Sequence, residues 1–397
     1  MVERATGERL LALDVFRGAS VALMILVNNP GSWSHLYPPL AHARWHGVTA
    51  TDLVFPFFLF AVGNALALVL PPLSQANRPA LFWRKVLQRT ALIFLIGLLL
   101  NWSPFVRWDA AGELAWRGAD TLRVMGVLQR IALAFGAAAV IVWLFGARPR
   151  AVLLAAAVLL VGYWAACHAF GRSGDPYSLE GFFGTALDRA LLGAQHLYQG
   201  EGVPFDPEGL ASTVPAVAQV LLGWWAGEII RRAREAGGID AEVVVRLFVA
   251  GTLALALAHL WQLEMPLNKK IWTSSYVLHT TGAALLVLAC LLAAIERGGR
   301  GASGWVRFFE VFGRNALFVF VLSGLVPRLL ALARWASGVD AAGQPVWTSP
   351  LPWLYKTVFA GIGDDPRLGS LLFALANLLV YWLVARALDR RGLYIRV

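Results

Sequence analysis

The sequence predicts an all-α fold, a polytopic transmembrane helical bundle of about ten spans. Two observations support this prediction. The 397 residues are 58% hydrophobic and only 15% charged, whereas soluble proteins average about 45–50% apolar and about 25% charged residues. Apolar runs of roughly 20 residues, the length with which a helix crosses a bilayer, also recur along the whole chain. We therefore expect one transmembrane domain over residues 1–397 and no soluble domain.

The apolar runs give the order of the predicted spans. They are 11–28, 51–70, 84–101, 122–146, 149–170, 211–231, 242–261, 271–295, 306–327 and 367–388. No small-residue cleavage site follows the first run, so we expect it to be a retained span and not a signal peptide. The segment 349–363 is too short and too broken to cross a bilayer, and an interfacial or re-entrant helix is expected there.

Loop charges predict the orientation of the bundle. Ten spans put both termini on one side, and a series of basic residues falls in the loops of that side: Arg78, Arg84, Lys85, Arg148, Arg150, Arg231, Arg232, Arg234, Arg297, Arg300, Arg307, Arg386, Arg390, Arg391 and Arg396. The opposite loops are longer and mixed in charge. Because Lys and Arg are enriched in cytoplasmic loops, we predict cytoplasmic termini. The net charge of +10 then reflects membrane topology and gives no reason to expect nucleic-acid binding.

The outward segment between the first two spans is unusually polar. It reads "LVNNPGSWSHLYPPLAHARWHGVTATDLVFPFFLF" over residues 26–60. His42 and His46 are four residues apart, with Trp45 between them, and would share a face if this part were helical. A histidine is suited to taking a proton from an attacking nucleophile, and the amide of Asn28 is the kind of donor that a developing oxyanion needs. No third ligand accompanies the two histidines in a metal-binding pattern, so no metal is expected.

Other polar residues leave two interpretations open. Thr49 and Asp52 have the spacing of a helix cap, so Asp52 either satisfies backbone amides or contacts a ligand. In "MPLNKKIWTSSYVLHTTG" (265–282), two lysines at an outward helix start either bind an anion such as a phosphate or snorkel at the interface. Arg130 and Asn315 lie within predicted spans, where a polar group either packs against another helix or contacts a substrate.

Five stretches together resemble one known family. "LALDVFRGASVALMILVNNPG", "HARWHGVTATDLVFPFFLFAVG", "PFDPEGLASTVPAVAQVLLGWWAG", "PLNKKIWTSSYVL" and "GRNALFVFVLSG" resemble the heparan-α-glucosaminide N-acetyltransferase family and its bacterial, NagX-like relatives. The resemblance implies a transmembrane acetyltransferase that carries the acetyl group of cytosolic acetyl-CoA to the amine of a terminal glucosamine on the far side. It also implies that His42 is the active-site histidine and Asn28 its partner, whereas His46 stands where the lysosomal enzyme has an asparagine.

The expected function follows from this resemblance. We expect an acetyl-CoA-dependent N-acetyltransferase of a bacterial inner membrane that acts on a glucosamine-type sugar at the outer face. Acetyl-CoA is then a co-substrate, no cofactor is bound permanently, and the family suggests a homodimer. Beyond the catalytic pair His42 and Asn28, the expected CoA contacts are Asn268, Lys269, Lys270, Arg130 and Ser274, and the expected acceptor contacts are Trp45, His46, Asp52, Glu208 and Asn315. A transporter or exporter of a small polar solute and a sugar O-acyltransferase acting on cell-surface polysaccharide are the alternatives.

Overall fold

A computed structural model of the protein describes residues 10–69, 79–109, 112–341 and 343–395. The described residues form a helical bundle with two short β-hairpins between spans. The helices are α1 Leu11–Asn28, α2 Val54–Val69, α3 Pro79–Trp102, α4 Val127–Phe145, α5 Pro149–Phe170, α6 Phe183–Leu192, α7 Thr213–Glu235, α8 Ala241–Trp261, α9 Ser274–Leu291, α10 Gly304–Arg314, α11 Ala316–Leu330, α12 Pro350–Leu354 and α13 Pro366–Arg390. The strands are β1 Val106–Trp108, β2 Leu114–Trp116, β3 Trp335–Val339 and β4 Pro345–Thr348, paired as antiparallel hairpins.

The predicted fold class is confirmed. Within the described parts of the chain, nine helices are long and apolar enough to cross a membrane, and the bent pair α10–α11 raises the number to ten. The protein is a multi-pass helical membrane protein. Residue 70, at the end of the second predicted span, and two residues of the charge pattern, Arg78 and Arg396, lie outside the described residues.

Several spans begin later than predicted because loop segments are held in other conformations. The fourth span begins at Val127 instead of 122, where the Asn101 amide donates to the carbonyl oxygens of Arg123 and Met125, each at 3.0 Å. The eighth begins at Ser274 instead of 271, because Trp272 has a φ of 52°, which is incompatible with a right-handed helix. These two corrections belong to loops on the same side of the bundle.

The ninth predicted span is two helices. The axes of α10 and α11 meet at 76° around Asn315. The Asn315 amide donates to the carbonyl oxygen of Leu393 at 3.1 Å and accepts from the amide of Ile395 at 2.9 Å. Arg314 beside it bonds Asp389 at 2.8 Å. The bend is therefore fixed by the end of the chain, and the short helix α12 occupies the segment expected to be interfacial or re-entrant.

Glycines bring α2 and α7 into close contact. A Cβ atom on Gly63 would lie 2.0 Å from the carbonyl oxygen of Val220, and one on Gly223 would lie 2.2 Å from that of Phe60. Small residues at a crossing let two membrane helices approach until their backbones touch. Since α2 follows the polar outward segment directly, this crossing sets the position of that segment against α7.

This packing predicts a stability difference between two glycine substitutions. Gly223→Ala forces α2 and α7 apart and is expected to cost about 1–3 kcal/mol, the usual penalty of overpacking. Gly162→Ala in α5 is the control, because nothing lies within 4 Å of the added carbon. Thermal unfolding in detergent measures both. An equal midpoint for Gly223→Ala and the wild type would contradict the account of this crossing.

The connecting segments form two groups of contacts, one at each end of the helical bundle. On one side the start of α1 meets the helical turn Leu292–Arg297 that follows α9, where the Ala12 amide donates to Glu296 at 3.0 Å. On the other side, three connecting segments meet: the Gly47 amide donates to Leu267 at 2.8 Å, and the Trp45 indole donates to Tyr177 at 2.8 Å. This second side, away from both ends of the described chain, carries the polar outward segment.

Candidate active site

The site is built around His42 in an irregular segment. The residues around His42 and His46 are not helical, so the shared helix face considered for the two histidines is absent and their side chains have different partners. The Nδ1 atom of His42 lies 2.7 Å from Oδ1 of Asp52. The imidazole is 43% exposed, whereas the carboxylate is only 1% exposed. A buried carboxylate thus holds one nitrogen of a histidine whose ring reaches the surface.

Asp52 is held from several directions at once. Its Oδ2 atom accepts hydrogen bonds from the amides of Ala43 at 3.0 Å and Thr49 at 3.1 Å, and from the Thr49 hydroxyl at 3.1 Å. The predicted cap at Thr49 is confirmed by these bonds. The Tyr276 hydroxyl from α9 donates to the main-chain oxygen of Asp52 at 2.5 Å. Asp52 therefore both caps the turn that leads into α2 and fixes the ring of His42.

The two adjacent lysines point to different partners. Nζ of Lys269 lies 3.0 Å from Nδ1 of His42 and 3.3 Å from Oδ1 of Asp52. Nζ of Lys270 forms an ion pair with Glu201 at 2.6 Å and lies over the ring of Trp45, 5.6 Å from its centroid. Burial lowers the pKa of Lys269, and the opposing effect of the Asp52 carboxylate does not cancel it. Lys269, His42 and Asp52 thus form one group, which we call the His42 cluster. Lys270 lies beside it with Trp45, on a surface that we call the rim.

Asn268 and His46 complete this rim. The Asn268 side chain accepts from the amide of Ile271 at 3.1 Å and so closes the turn before α9. Its amide nitrogen lies 3.4 Å from Nδ1 of His46. Burial lowers the pKa of His46, and the charge of Asp175 opposes this only in part. The ring of His46 stays beside Trp45, with 6.3 Å between the ring centroids.

A second group of charged residues, which we call the charged wall, consists of Arg123, Arg130, Asp206 and Glu208. Arg123 bonds Asp206 at 2.6 Å and Glu208 at 2.5 Å. Although burial disfavours its charged form, these two carboxylates raise the pKa of Arg123. Arg130 is fully buried, donates to Ser212 and lies over the ring of Trp272, 4.9 Å from its centroid. Glu208 is thus part of an ion-pair network. Its negative charge also opposes the lowering of the Lys269 pKa by burial.

The remaining expected site residues have separate positions. Asn28 is exposed at the end of α1, next to Val27, which packs in the same apolar cluster as Leu40 and Val54. Because Leu40 precedes His42 by two residues and Val54 follows Asp52 by two, the end of α1 and the segment that carries His42 pack in one apolar cluster. The hydroxyl of Ser274 donates to the carbonyl oxygen of Leu160 at 2.7 Å and is buried. Asn315 binds the end of the chain and lies on the other side of the bundle.

The comparisons with known proteins show the family of the chain. The family model described as "Heparan-alpha-glucosaminide N-acetyltransferase, catalytic" matches residues 9–260. The chain belongs to this family. It is 27% identical over 369 residues to mouse heparan-alpha-glucosaminide N-acetyltransferase, covering 80% of this chain and 54% of the mouse protein. It is 27% identical over 364 residues to the human protein of that name, covering 79% of this chain and 52% of the human protein.

The match to the heparan-alpha-glucosaminide N-acetyltransferase family includes some residues of the site and leaves out others. The chain spans about half the length of the curated relatives it matches. The match to the catalytic model includes His42, Asp52 and Glu208, but it ends before Lys269 and Lys270. The sequence alone did not single out the pairing of Lys269 with His42 or the bond from Tyr276 to Asp52. The sequence shows only that Lys269 and Tyr276 lie close together in the stretch "NKKIWTSSY". It does not indicate that one of them contacts His42 and the other Asp52.

The arrangement favours one tautomer of His42. A contact of 2.7 Å between Nδ1 and a carboxylate oxygen requires a proton between them, and an ionised carboxylate is an acceptor only. With Nδ1 protonated, the lone pair of the neutral ring is on Nε2. An oriented imidazole with a free Nε2 lone pair is the arrangement with which histidine removes a proton from a nucleophile.

Proposed function

We propose that this protein is an acetyl-CoA-dependent N-acetyltransferase that acetylates the amine of a glucosamine-type sugar at the outer face of a bacterial inner membrane. Membership in the family supports the reaction class. The observation that carries the proposal is the contact of 2.7 Å between His42 and the buried Asp52, on the side of the bundle away from both ends of the described chain. The excess of basic residues on the other side supports an outward position for His42.

The proposed reaction uses His42 as a general base. Nε2 takes a proton from the acceptor amine as its nitrogen attacks the thioester carbonyl carbon of acetyl-CoA. A C–N bond forms, and the carbonyl electron pair moves to the oxygen, where the Asn28 amide donates a hydrogen bond. When the intermediate collapses, the C–S bond breaks and His42 returns its proton to the departing thiolate. A route through an acetyl group on Nε2 would use the same nitrogen.

The acceptor contacts proposed for the sugar lie on the rim and in the charged wall. Trp45 and His46 follow His42 closely in the chain and are accessible on the rim, and Glu208 is partly accessible in the charged wall. These three residues are therefore retained as acceptor contacts. Asp52 is assigned to orienting His42, since its oxygens bind protein groups. Ser274, Asn268 and Asn315 are left out of the proposed site because, unlike the three retained residues, they are fully buried.

An assay of the purified protein in detergent tests this function. Acetyl-CoA and glucosamine are supplied together, and CoA release is measured beside the formation of N-acetylglucosamine. We expect both products in equal amounts without any membrane gradient. Glucose, which offers only hydroxyl groups, is the matched acceptor for an O-acyltransferase. Transfer to glucose but not to glucosamine would contradict the proposal, and so would flux of solute into vesicles with no acetylated product.

A further inference from the structure

The proposed reaction gives no task to Lys269, although its ammonium group forms an ion pair with Asp52 and lies beside Nδ1 of His42; because Nδ1 carries the proton donated to Asp52, Lys269 acts on the ring through its charge and not through a hydrogen bond. Nζ lies 3.0 Å from Nδ1 of His42 and 3.3 Å from Oδ1 of Asp52, while those two atoms are 2.7 Å apart. The Lys269 side chain is 21% exposed, so its charge is only partly screened by solvent. Three polar atoms of three residues therefore form one compact triangle.

The charges of this triangle affect how readily His42 holds a proton. A carboxylate next to an imidazole stabilises the imidazolium form. A histidine that is already protonated has no lone pair with which to accept a proton from the acceptor amine. Asp52 alone would therefore orient His42 but would also favour the protonated ring, which cannot act as a base. An ammonium group at 3.0 Å has the opposite effect, because a like charge disfavours the imidazolium.

We propose that Lys269 is a positioning residue for acetyl transfer: its ammonium group offsets the charge of Asp52, so that Asp52 orients the ring of His42 without keeping it protonated. This inference rests on the proposed function. With both charges present, Asp52 and Lys269 sum to zero. Without Lys269, the charge of Asp52 is uncompensated and the proton is held more tightly.

The other charged and titratable groups around the triangle act at longer range. Glu208 and Lys270 influence the charge of Lys269 with opposite signs. The phenol of Tyr276 binds the main chain of Asp52 and not its carboxylate. His46 is turned towards Asn268. Asp52, Glu208 and Lys270 act on the charge of Lys269, and Arg123 and Arg130 act on Glu208 in turn.

The experiment measures the protonation of His42 directly. Diethyl pyrocarbonate reacts with unprotonated imidazole, and mass spectrometry assigns the modification to His42 within its peptide. The rate is recorded from pH 5 to 9 for the full-length protein in detergent. In Lys269→Met the midpoint of this profile is expected to rise by about one pH unit, the lower end of the effect of one adjacent charge. Lys269→Gln, which is neutral but polar, should give the same shift and replaces Lys269→Met if that variant does not fold.

Two controls separate charge from structure. Lys269→Arg keeps the positive charge and should retain the wild-type midpoint. Lys270→Met removes a lysine that pairs with Glu201, and its midpoint should stay at the wild-type value whatever its effect on rate. The acidic limb of the kcat/KM profile for acetyl transfer should move upward with the modification profile. A merely structural role would lower kcat/KM equally at every pH.

The outcomes distinguish this inference from the proposed function. Coincident modification profiles for the wild type and both neutral Lys269 variants would overturn the role of Lys269, even if acetyl transfer is observed. Absence of transfer by the wild-type protein would overturn the proposed function, and with it the assignment of Lys269 to that reaction. A shifted modification profile would then support only the charge coupling between Lys269 and His42.

Discussion

His42→Ala is expected to lower kcat for acetyl transfer by about 10²–10⁴-fold, the range that a positioned general base contributes. The substitution removes an imidazole that is 43% exposed, while the Asp52 carboxylate keeps its bonds to Ala43 and Thr49. The fold should therefore survive. The measurement is the initial rate of N-acetylglucosamine formation at saturating acetyl-CoA and glucosamine.

His35→Ala is the matched control for this loss. His35 lies in the same outward segment, and its Nδ1 atom contacts only the Ser32 hydroxyl, at 3.2 Å, among the bonds found in the described residues. We expect this variant to retain the wild-type rate within a factor of about two to three, as surface substitutions rarely change much. A His42→Ala protein that keeps its thermal midpoint and transfers acetyl at the wild-type rate would refute the role of His42.

Asp52→Asn is expected to reduce kcat by about 10²–10⁴-fold with little change in KM for acetyl-CoA. An amide nitrogen facing Nδ1 would hold a lone pair there, so the ring proton would move to Nε2 and the base would be lost. The amide oxygen can still accept from Ala43 and Thr49, which preserves the turn. Initial rates at varied acetyl-CoA, together with thermal unfolding, separate catalysis from stability.

Thr49→Val provides the comparison for this prediction. The Thr49 hydroxyl binds Asp52 at 3.1 Å and the carbonyl oxygen of Ala41 at 2.7 Å, but it does not touch His42. We expect Thr49→Val to lower the thermal midpoint while retaining most of kcat. If both variants lost activity only in proportion to their lost stability, Asp52 would be a cap and would have no part in orienting His42.

The helices of this fold were predictable because a membrane span is a local property. A run of about 20 apolar residues identifies a span with no knowledge of its neighbours. The bend at Asn315 was not predictable in this way, since it depends on bonds to Leu393 and Ile395. The late start of α9 depends on a positive φ at Trp272, which the residue type disfavours. Such features follow from tertiary contacts.

The candidate site was predictable in part for the same reason. The local spacing to Thr49 indicated a helix cap as one of two interpretations of Asp52, and His42 and His46 were both noted as ionisable groups beside apolar spans, with the family resemblance pointing to His42. The contact between them depends on the turn that folds residues 43–49 back on Asp52. Lys269 is separated from His42 by 227 residues. Nothing in the periodicity of either segment indicates that their nitrogen atoms meet.

A structure of the protein with bound acetyl-CoA tests the central claim most directly. The account predicts that the thioester carbonyl carbon lies near His42, leaving room for an amine nitrogen about 3–3.5 Å from that carbon and within hydrogen-bonding reach of Nε2. Nδ1 of His42 should remain on Asp52. A thioester bound on the side of the bundle that carries Asn315, or at any place from which an amine could not contact Nε2, would contradict the account.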